Sequence, residues 1–367
     1  MLRKNTTIKT CNRANFQYYQ LMKKNCVASE KIIIPIIYLA SLLLPFSTSL
    51  NGQDLHFSQY WNTPLDLNPA LAGVAGEDVR IMTAYKRQWA SVPVDYTTFY
   101  GAVDSKWNPF GSGGNFFGWG LLLNHDQAGD GDWTLNNLMG QFAYTHQLKK
   151  GVYATIGTQM GFGERSFNLS GLTFDNQYNG DVFDPTRGTG ERFSDTRTRY
   201  WDFGAGFNIH LQKADQRSKL DIGFGLHHLN TPSENFYFGS SIDIPVRKDF
   251  YAVGFLKITE KLDLMANGLI RFQNEYEEVI LGGGIRFHLN TQIARELALD
   301  LGGSLRTGDA FLPYIGLLYH QWRFGFVYDI NTSPFSSATN NNGGPEISVV
   351  YTITKPKPPA KKLCPLF

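Results

Sequence analysis

The sequence predicts an all-β chain: a transmembrane, antiparallel outer-membrane β-barrel of about 14 strands, with an N-terminal segment that is periplasmic or lumenal. Three observations predict it. Strand-like runs recur from Asp78 to Thr354, each about ten residues long, which is what a tilted membrane strand needs. The runs alternate apolar with polar or glycine positions. The connections between them alternate long with short.

The bulk composition agrees with this fold. A chain of 367 residues holds two or three ordinary domains or one large barrel. Hydrophobic residues make up 42% and the mean hydropathy is −0.25, too low for helical spans that each need about 20 consecutive apolar residues. The 27 Phe, 18 Tyr, 7 Trp and 37 Gly suit strands, tight turns and the aromatic girdles that meet lipid headgroups.

The period-two pattern is clearest in four runs. Over residues 200–211, Trp201, Phe203, Ala205, Phe207, Ile209 and Leu211 share one face, and Asp202, Gly204, Gly206, Asn208 and His210 the other. Over 220–226, Leu220, Ile222, Phe224 and Leu226 alternate with Asp221, Gly223 and Gly225. Over 322–330, Trp322, Phe324, Phe326, Tyr328 and Ile330 alternate with Arg323, Gly325, Val327 and Asp329. Near the end, Ile347, Val349, Tyr351 and Ile353 alternate with Glu346, Ser348, Val350 and Thr352. Successive side chains of a strand point to opposite faces, so each run has one apolar and one polar side. A soluble sandwich shows the same alternation, but a core faced by Gly, Asp and Arg would be poorly filled. A barrel lumen takes such residues.

The expected strands lie near 78–89, 97–106, 116–127, 133–148, 151–168, 198–211, 218–230, 247–259, 261–275, 276–290, 295–309, 310–321, 322–333 and 345–354. The three longest connections, 166–197, 230–246 and 331–344, are all odd-numbered, whereas those at 149–151, 259–261 and 320–321 are even-numbered and tight. Long outer loops and short periplasmic turns follow if the chain enters from the periplasm. The inner turn at 108–115 is longer than this pattern asks, and the outer one at 274–276 shorter. The domain plan is therefore 1–52 removed, 53–77 an N-terminal segment, 78–354 the barrel and 355–367 a periplasmic Lys/Pro-rich tail.

Residues 1–52 read as an export signal. Lys23, Lys24 and Lys31 precede the apolar run 32–44, which Pro35 interrupts and Pro45 follows; Ser47, Thr48, Ser49, Asn51 and Gly52 come next. That is the order of a cleaved secretory signal, and the run is too short to span a bilayer of ~30 Å. Met22 is an alternative start. Cleavage is expected near Gly52–Gln53, with no lipid anchor because no Cys lies there. Removing this segment takes away seven basic residues and one acidic residue, which turns a net charge of +2 into −4. That balance argues against nucleic acid as a partner. Of the three cysteines, Cys11 and Cys26 leave with the signal and only Cys364 stays, so no internal disulfide is expected. Stability must come from closed strand pairing.

The search for chemistry finds no catalytic, cofactor-binding or metal-binding residue set, and the chain is expected not to be an enzyme. It lacks the phosphate-loop, dinucleotide, HExxH and CxxC motifs. Gly282, Gly283 and Gly284 sit inside a strand pattern, where they mark curvature or a bulge. His227 and His228 are adjacent, so on a strand they face opposite sides. Asp126, Asp130 and Asp132, and separately Asp175, Asp181 and Asp184, are acidic clusters read as solvated outer loops. His125 beside Asp126, and Ser218 near Asp221, are no signature of a nucleophile and base.

The opening Gln53-Asp54-Leu55-His56-Phe57-Ser58-Gln59-Tyr60 and the phrase Pro64-Leu65-Asp66-Leu67-Asn68-Pro69-Ala70-Leu71-Ala72-Gly73 resemble the PorP/SprF family of Bacteroidetes. Tyr85-Lys86-Arg87-Gln88-Trp89 and Tyr96-Thr97-Thr98-Phe99 are similar to that family's first hairpin, and the ending Cys364-Pro365-Leu366-Phe367 to its tail, although Arg is more usual than Leu366 there. The resemblance implies an outer-membrane component of the type IX secretion and gliding machinery. It implies docking or delivery of secreted surface adhesins and contact with the periplasmic ring. The tail, together with residues 53–73, is our candidate for that contact. The partners implied are outer-membrane lipid, ring components and an adhesin. The alternative is a channel for small or hydrophobic solutes, and a third is a lipid-modifying barrel enzyme. An open or gated lumen fits a channel; a filled one fits docking.

Overall fold

The computed structural model describes residues 54–74, 78–89, 96–109, 114–213, 217–292, 295–334 and 336–354. The expected signal and the Lys/Pro-rich tail lie outside the described residues.

Fourteen strands close an antiparallel barrel. They are β1 (Val79–Gln88), β2 (Tyr96–Trp107), β3 (Phe116–Ala128), β4 (Trp133–Lys149), β5 (Val152–Ser166), β6 (Arg197–Gln212), β7 (Lys219–His227), β10 (Arg247–Lys257), β11 (Leu262–Gln273), β12 (Tyr276–Asn290), β13 (Leu297–Arg306), β14 (Ala310–Tyr319), β15 (Trp322–Asn331) and β16 (Asn342–Ile353). A two-stranded sheet, β8 (Ser233–Tyr237) and β9 (Ser240–Asp243), stands between β7 and β10 outside the barrel. Each barrel strand pairs with its sequence neighbour, with β7 joining β10, and β1 closes the ring on β16 with Val79 opposite Ile353. Both ends of the barrel sequence therefore emerge at one rim, here the terminal rim. The long connections leave from the other.

The alternation read from sequence holds. Trp201, Phe203, Ile222, Phe224, Phe250, Trp322, Phe324 and Ile347 point outward and are exposed, while Asp202, Asn208, Asp249, Asp329 and Glu346 point inward and are buried. Aromatic rings gather on the outer face toward the terminal rim. Trp107 and Phe117 lie 5.9 Å apart and Phe117 and Tyr144 5.2 Å, and Trp322 meets Tyr351 at 4.4 Å. Such a girdle seats a barrel at a membrane interface. No helix among the described residues is long and apolar enough to cross a membrane, so the crossing belongs to the strands.

Several expected boundaries shift for local reasons. β7 ends at His227 rather than running to 230, because His228 adopts φ 57° and turns the chain. The alternation argument that put His227 and His228 on opposite faces fails with it, and both are buried. β16 starts at Asn342, before the expected 345. The expected loop 230–246 contains the β8–β9 pair. Asp126, expected in a loop, lies in β3 opposite Leu135. Gly282–Gly284 keep regular pairing with β13, and the register shift in that pair falls at His288/Asn290 instead.

The outward position of Phe207, level with Phe224 in the middle of β7 and next to Phe250 beyond it, places it in the hydrocarbon layer. Phe207→Arg is expected to destabilise the barrel by about 2–4 kcal/mol, read from urea unfolding in lipid vesicles. A change below about 1 kcal/mol would contradict the assigned facing. On strand parity alone, Arg at the inward position Asn208 is expected to cost much less. The structure places Asn208 with no solvent exposure, donating to Asp221 at 3.0 Å and accepting from the Tyr251 hydroxyl at 2.9 Å. An Arg there has no water to enter and meets the overpacking penalty of a filled interior.

Candidate functional site

What fills the interior is the N-terminal segment. Residues 54–73 fold as a 3-10 turn (Tyr60–Asn62), a single helical turn α1 (Pro64–Leu67) and a second 3-10 turn (Pro69–Leu71). Prolines at the first positions of two of these turns fix φ where no amide partner is needed. The segment is buried almost throughout.

Its partners lie all round the wall, which only a lumenal segment can achieve. The Ser58 and Gln59 amides donate to the Glu346 carboxylate of β16 at 2.7 and 2.8 Å. Ser58 Oγ donates to Asp329 of β15 at 2.7 Å and accepts from Arg306 of β13 at 2.8 Å. Gln141 of β4 donates to the Leu65 carbonyl at 2.6 Å, and Asn124 of β3 to Asp66 at 3.0 Å. On the far side, Arg247 of β10 donates to the Asp66 carbonyl at 2.6 Å. Lower down, Arg80 of β1 donates to the Leu71 carbonyl at 3.2 Å, and the Gly73 amide to Asp104 of β2 at 2.8 Å.

The Asn68-Pro69-Ala70 phrase is the pivot of this arrangement. Asn68 accepts from the Ala70 amide at 2.8 Å and donates to the Phe207 carbonyl and the Tyr251 hydroxyl, both at 2.9 Å. Its side chain is fully buried, so each of these bonds replaces lost water. The wall makes room with glycine. A Cβ at Gly118 would overlap the Ala72 carbonyl, and one at Gly206 would overlap the Asn68 side chain. The inward glycines that looked like a poorly filled core are the bed on which the segment lies.

Two apolar clusters complete the plug. Leu55, Phe57 and Leu65 pack against Met82, Tyr100, Leu122 and Met139. Tyr60, Leu67 and Leu71 pack against Tyr251, Leu269, Ile280, Leu312 and Val327. The expected polar lumen is thus partly apolar wherever the plug touches it.

Above these clusters, near the rim of long connections, runs a belt of buried charges. Lys86 lies 3.4 Å from Asp329, and Asp329 3.1 Å from Arg306. Arg306 meets Glu278 at 3.0 Å, Glu278 meets Arg271 at 3.5 Å, and Arg271 meets Asp249 at 2.6 Å. Asp249 meets Arg247 at 3.2 Å, which holds Asp54 of the plug at 2.6 Å. His228 closes this arm between Asp54 and Asp202, each at 3.0 Å. Buried charges persist only when paired in this way.

The electrostatics follow from the pairing. Burial alone would raise the Asp54 carboxyl, but Arg247 and His228 hold it well below the usual range. His56 is pushed well down, first by burial and then by Lys86 and Arg306, so it is neutral. Burial would lower His228 too, but the Asp202 and Asp54 carboxylates, one at each ring nitrogen, outweigh it and raise it to about 9. A raised histidine contributes stability that is fully present below its ordinary value near 6.5 and is lost as pH rises through about 9. The plug's tether at His228 is therefore charged at neutral pH.

The sequence-level acidic pairings do not assemble. His125 bonds Asn136 at 2.7 Å rather than Asp126, which accepts from Thr98 at 2.6 Å. Ser218 accepts from the Lys257 amide at 3.1 Å, while Asp221 binds Asn208 and His210. Asp132 accepts from Gln127, and Asp184 from Thr186. Sequence reading missed the belt. Its signal was available: Lys86, Arg247, Asp249, Arg271, Glu278, Arg306, Asp329 and Glu346 all fall on the polar parity of their strands, near the ends that meet the long connections.

A closed barrel with an apolar outer wall, an aromatic girdle and a buried polar interior defines an outer-membrane β-barrel protein. The profile of the family described as "Type IX secretion system membrane protein PorP/SprF" matches residues 49–351. The chain belongs to that family. No curated protein sequence matches it. Among solved structures it is similar to the toluene transporter TodX of Pseudomonas putida, with 10% identity and a TM-score of 0.47 over 81% of this chain and 95% of that one. It is also similar to a FadL homologue of Pseudomonas aeruginosa, with 10% identity and a TM-score of 0.45 over 78% and 92%. The CymD monoaromatic hydrocarbon channel gives 9% identity and 0.45 over 85% and 97%.

Proposed function

We propose that this outer-membrane component of the type IX system is a docking barrel without catalytic activity. It holds or delivers secreted surface adhesins and contacts the periplasmic ring of the machine. The observation that carries the reading is the filled lumen: a segment pinned to strands on all sides and locked by a buried charge belt suits a scaffold rather than a conduit. The terminal rim faces the periplasm in this reading, because the long connections leave from the other rim. In this reading residues 1–52 direct export and are then removed.

Residues 53–73 were expected to share the contact with the ring. Their described part, 54–73, is buried in the lumen, so it is withdrawn from that role. Ring contact is left to residues 355–367, which carry Lys355, Lys357, Lys361 and Lys362 with no acidic residue. Pro356, Pro358 and Pro359 disfavour helix and strand pairing there. Deleting 355–367 is expected to leave insertion intact, because β16 ends at Ile353. It should weaken co-purification of ring components and lower surface display of the adhesin. If the truncated chain inserts normally and both readouts stay at wild-type level, the tail is not the docking element.

A further inference from the structure

β6 rises past β7: its residues Arg197 to Gly204 stand above the first β6–β7 pair, Ala205 with Leu226. With β4 and β5 it forms an overhang at the rim of long connections. The turn after β3, the connection after β5 and the β8–β9 sheet meet over this overhang and form a pocket of about 370 Å³ that opens to solvent on one side. Trp133, Phe167, Leu172, Phe193, Phe236 and Tyr237 line it.

The walls are built before any occupant arrives. Trp133 meets Phe167 at 5.4 Å and Phe236 at 5.1 Å, and Phe167 meets Phe236 at 5.3 Å and Phe193 at 5.1 Å. Phe193 meets Tyr237 at 4.8 Å. Backbone bonds tie the three segments together: Ser194 to the Phe236 carbonyl and Asn168 to the Gly131 carbonyl, both at 2.7 Å. The volume falls within the range of small-molecule sites, about 300–1,000 Å³. An apolar guest that enters this pocket gains by removing aromatic surface from water.

The chemistry of the guest follows from the lining. Its charged member is Glu234, which is buried and lies 2.7 Å from Arg165. That pair is neutral as a whole, and Arg165 also lies over the Trp133 ring. A charged ligand would have to break the pair or be buried without a counter-charge, and both are costly. We propose that this cavity is a binding site for a small uncharged ring compound, with at most one hydroxyl directed at Glu234. The inference stands apart from the docking role: it concerns the overhang, and the plug takes no part in it.

The test uses the full chain in lipid nanodiscs, because detergent would itself fill the cavity. The probes are 4-fluorobenzyl alcohol, 4-fluorobenzoate and 4-fluorobenzylammonium, followed by fluorine NMR. The alcohol is expected to bind saturably and both ions at least tenfold more weakly. Leu172→Trp, which fills the cavity, should abolish saturable binding, and Phe236→Ala, which removes a wall, should weaken it several-fold. Heat-modifiable migration on gels verifies that each variant is folded. If Leu172→Trp does not fold, Phe236→Ala and the charge series still decide. Non-saturable uptake equal in all variants, or tighter binding of either ion, overturns the proposal. So does saturable binding that Phe236→Ala leaves unchanged, which would place the probe elsewhere on the chain.

Discussion

Replacing Arg247 with Leu is expected to cost about 3–5 kcal/mol of stability, the usual consequence of removing one partner from a buried ion network. Arg247 is the residue at which wall and plug are joined. Its guanidinium lies 2.6 Å from Asp54, 3.5 Å from Asp66 and 3.2 Å from Asp249, with almost no exposure. Leu fills much of the volume but leaves Asp54 to His228 alone and Asp249 to Arg271 and His227. Asp66, which burial already raises against the opposing pull of Arg247, loses its nearest cation. Equilibrium unfolding in urea with the barrel in vesicles measures the effect. A loss below about 1 kcal/mol would mean that the belt is not the joint between plug and wall.

Deleting residues 54–73 should have the larger functional effect, turning a closed barrel into a permeable one. An eight-stranded barrel fills itself with side chains, but a wider one leaves space unless something occupies it. Here the occupant is the plug, and the wall carries inward glycines such as Gly118 and Gly206 where it lies. The wall should survive its removal. Lys86 with Asp329, Arg306 with Glu278 and Arg271 with Asp249 are all contacts between strands, and water can enter to solvate the rest. Cells making the deleted chain are expected to take up a small hydrophilic dye that cells making the full chain exclude. Equal exclusion by both would mean that wall residues alone close the lumen.

The barrel was legible because its signal is local. Alternation along 200–211, 220–226, 322–330 and 345–354 needs only neighbouring residues, and tight turns such as 320–321 punctuate it. What lay beyond reach was non-local. Nothing in the string Asn68-Pro69-Ala70 says that the Asn side chain will meet the backbone at Phe207 and the hydroxyl of Tyr251, more than a hundred residues away. The resemblance marked that phrase as distinctive without a physical reason, and the buried bonds supply one. The inward charges were visible one at a time, as Asp329 and Glu346 were, but their pairing depends on register between strands. His228 shows the converse limit. A single residue at positive φ ended β7 and turned His228 inward beside His227, where strand alternation had separated them. The aromatic pocket was hidden for a similar reason, since Trp133 of β4, Phe193 of the connection after β5 and Phe236 of β8 are far apart in the chain.

The claim that this barrel is a plugged scaffold is tested most directly by its own conductance. The full-length mature chain, reconstituted in a planar lipid bilayer at neutral pH, should pass no steady ionic current, with the 54–73 deletion in the same bilayer as the conducting reference. A stable open-pore current from the native chain, equal to that of the deletion, would contradict the account and return the barrel to the class of channels.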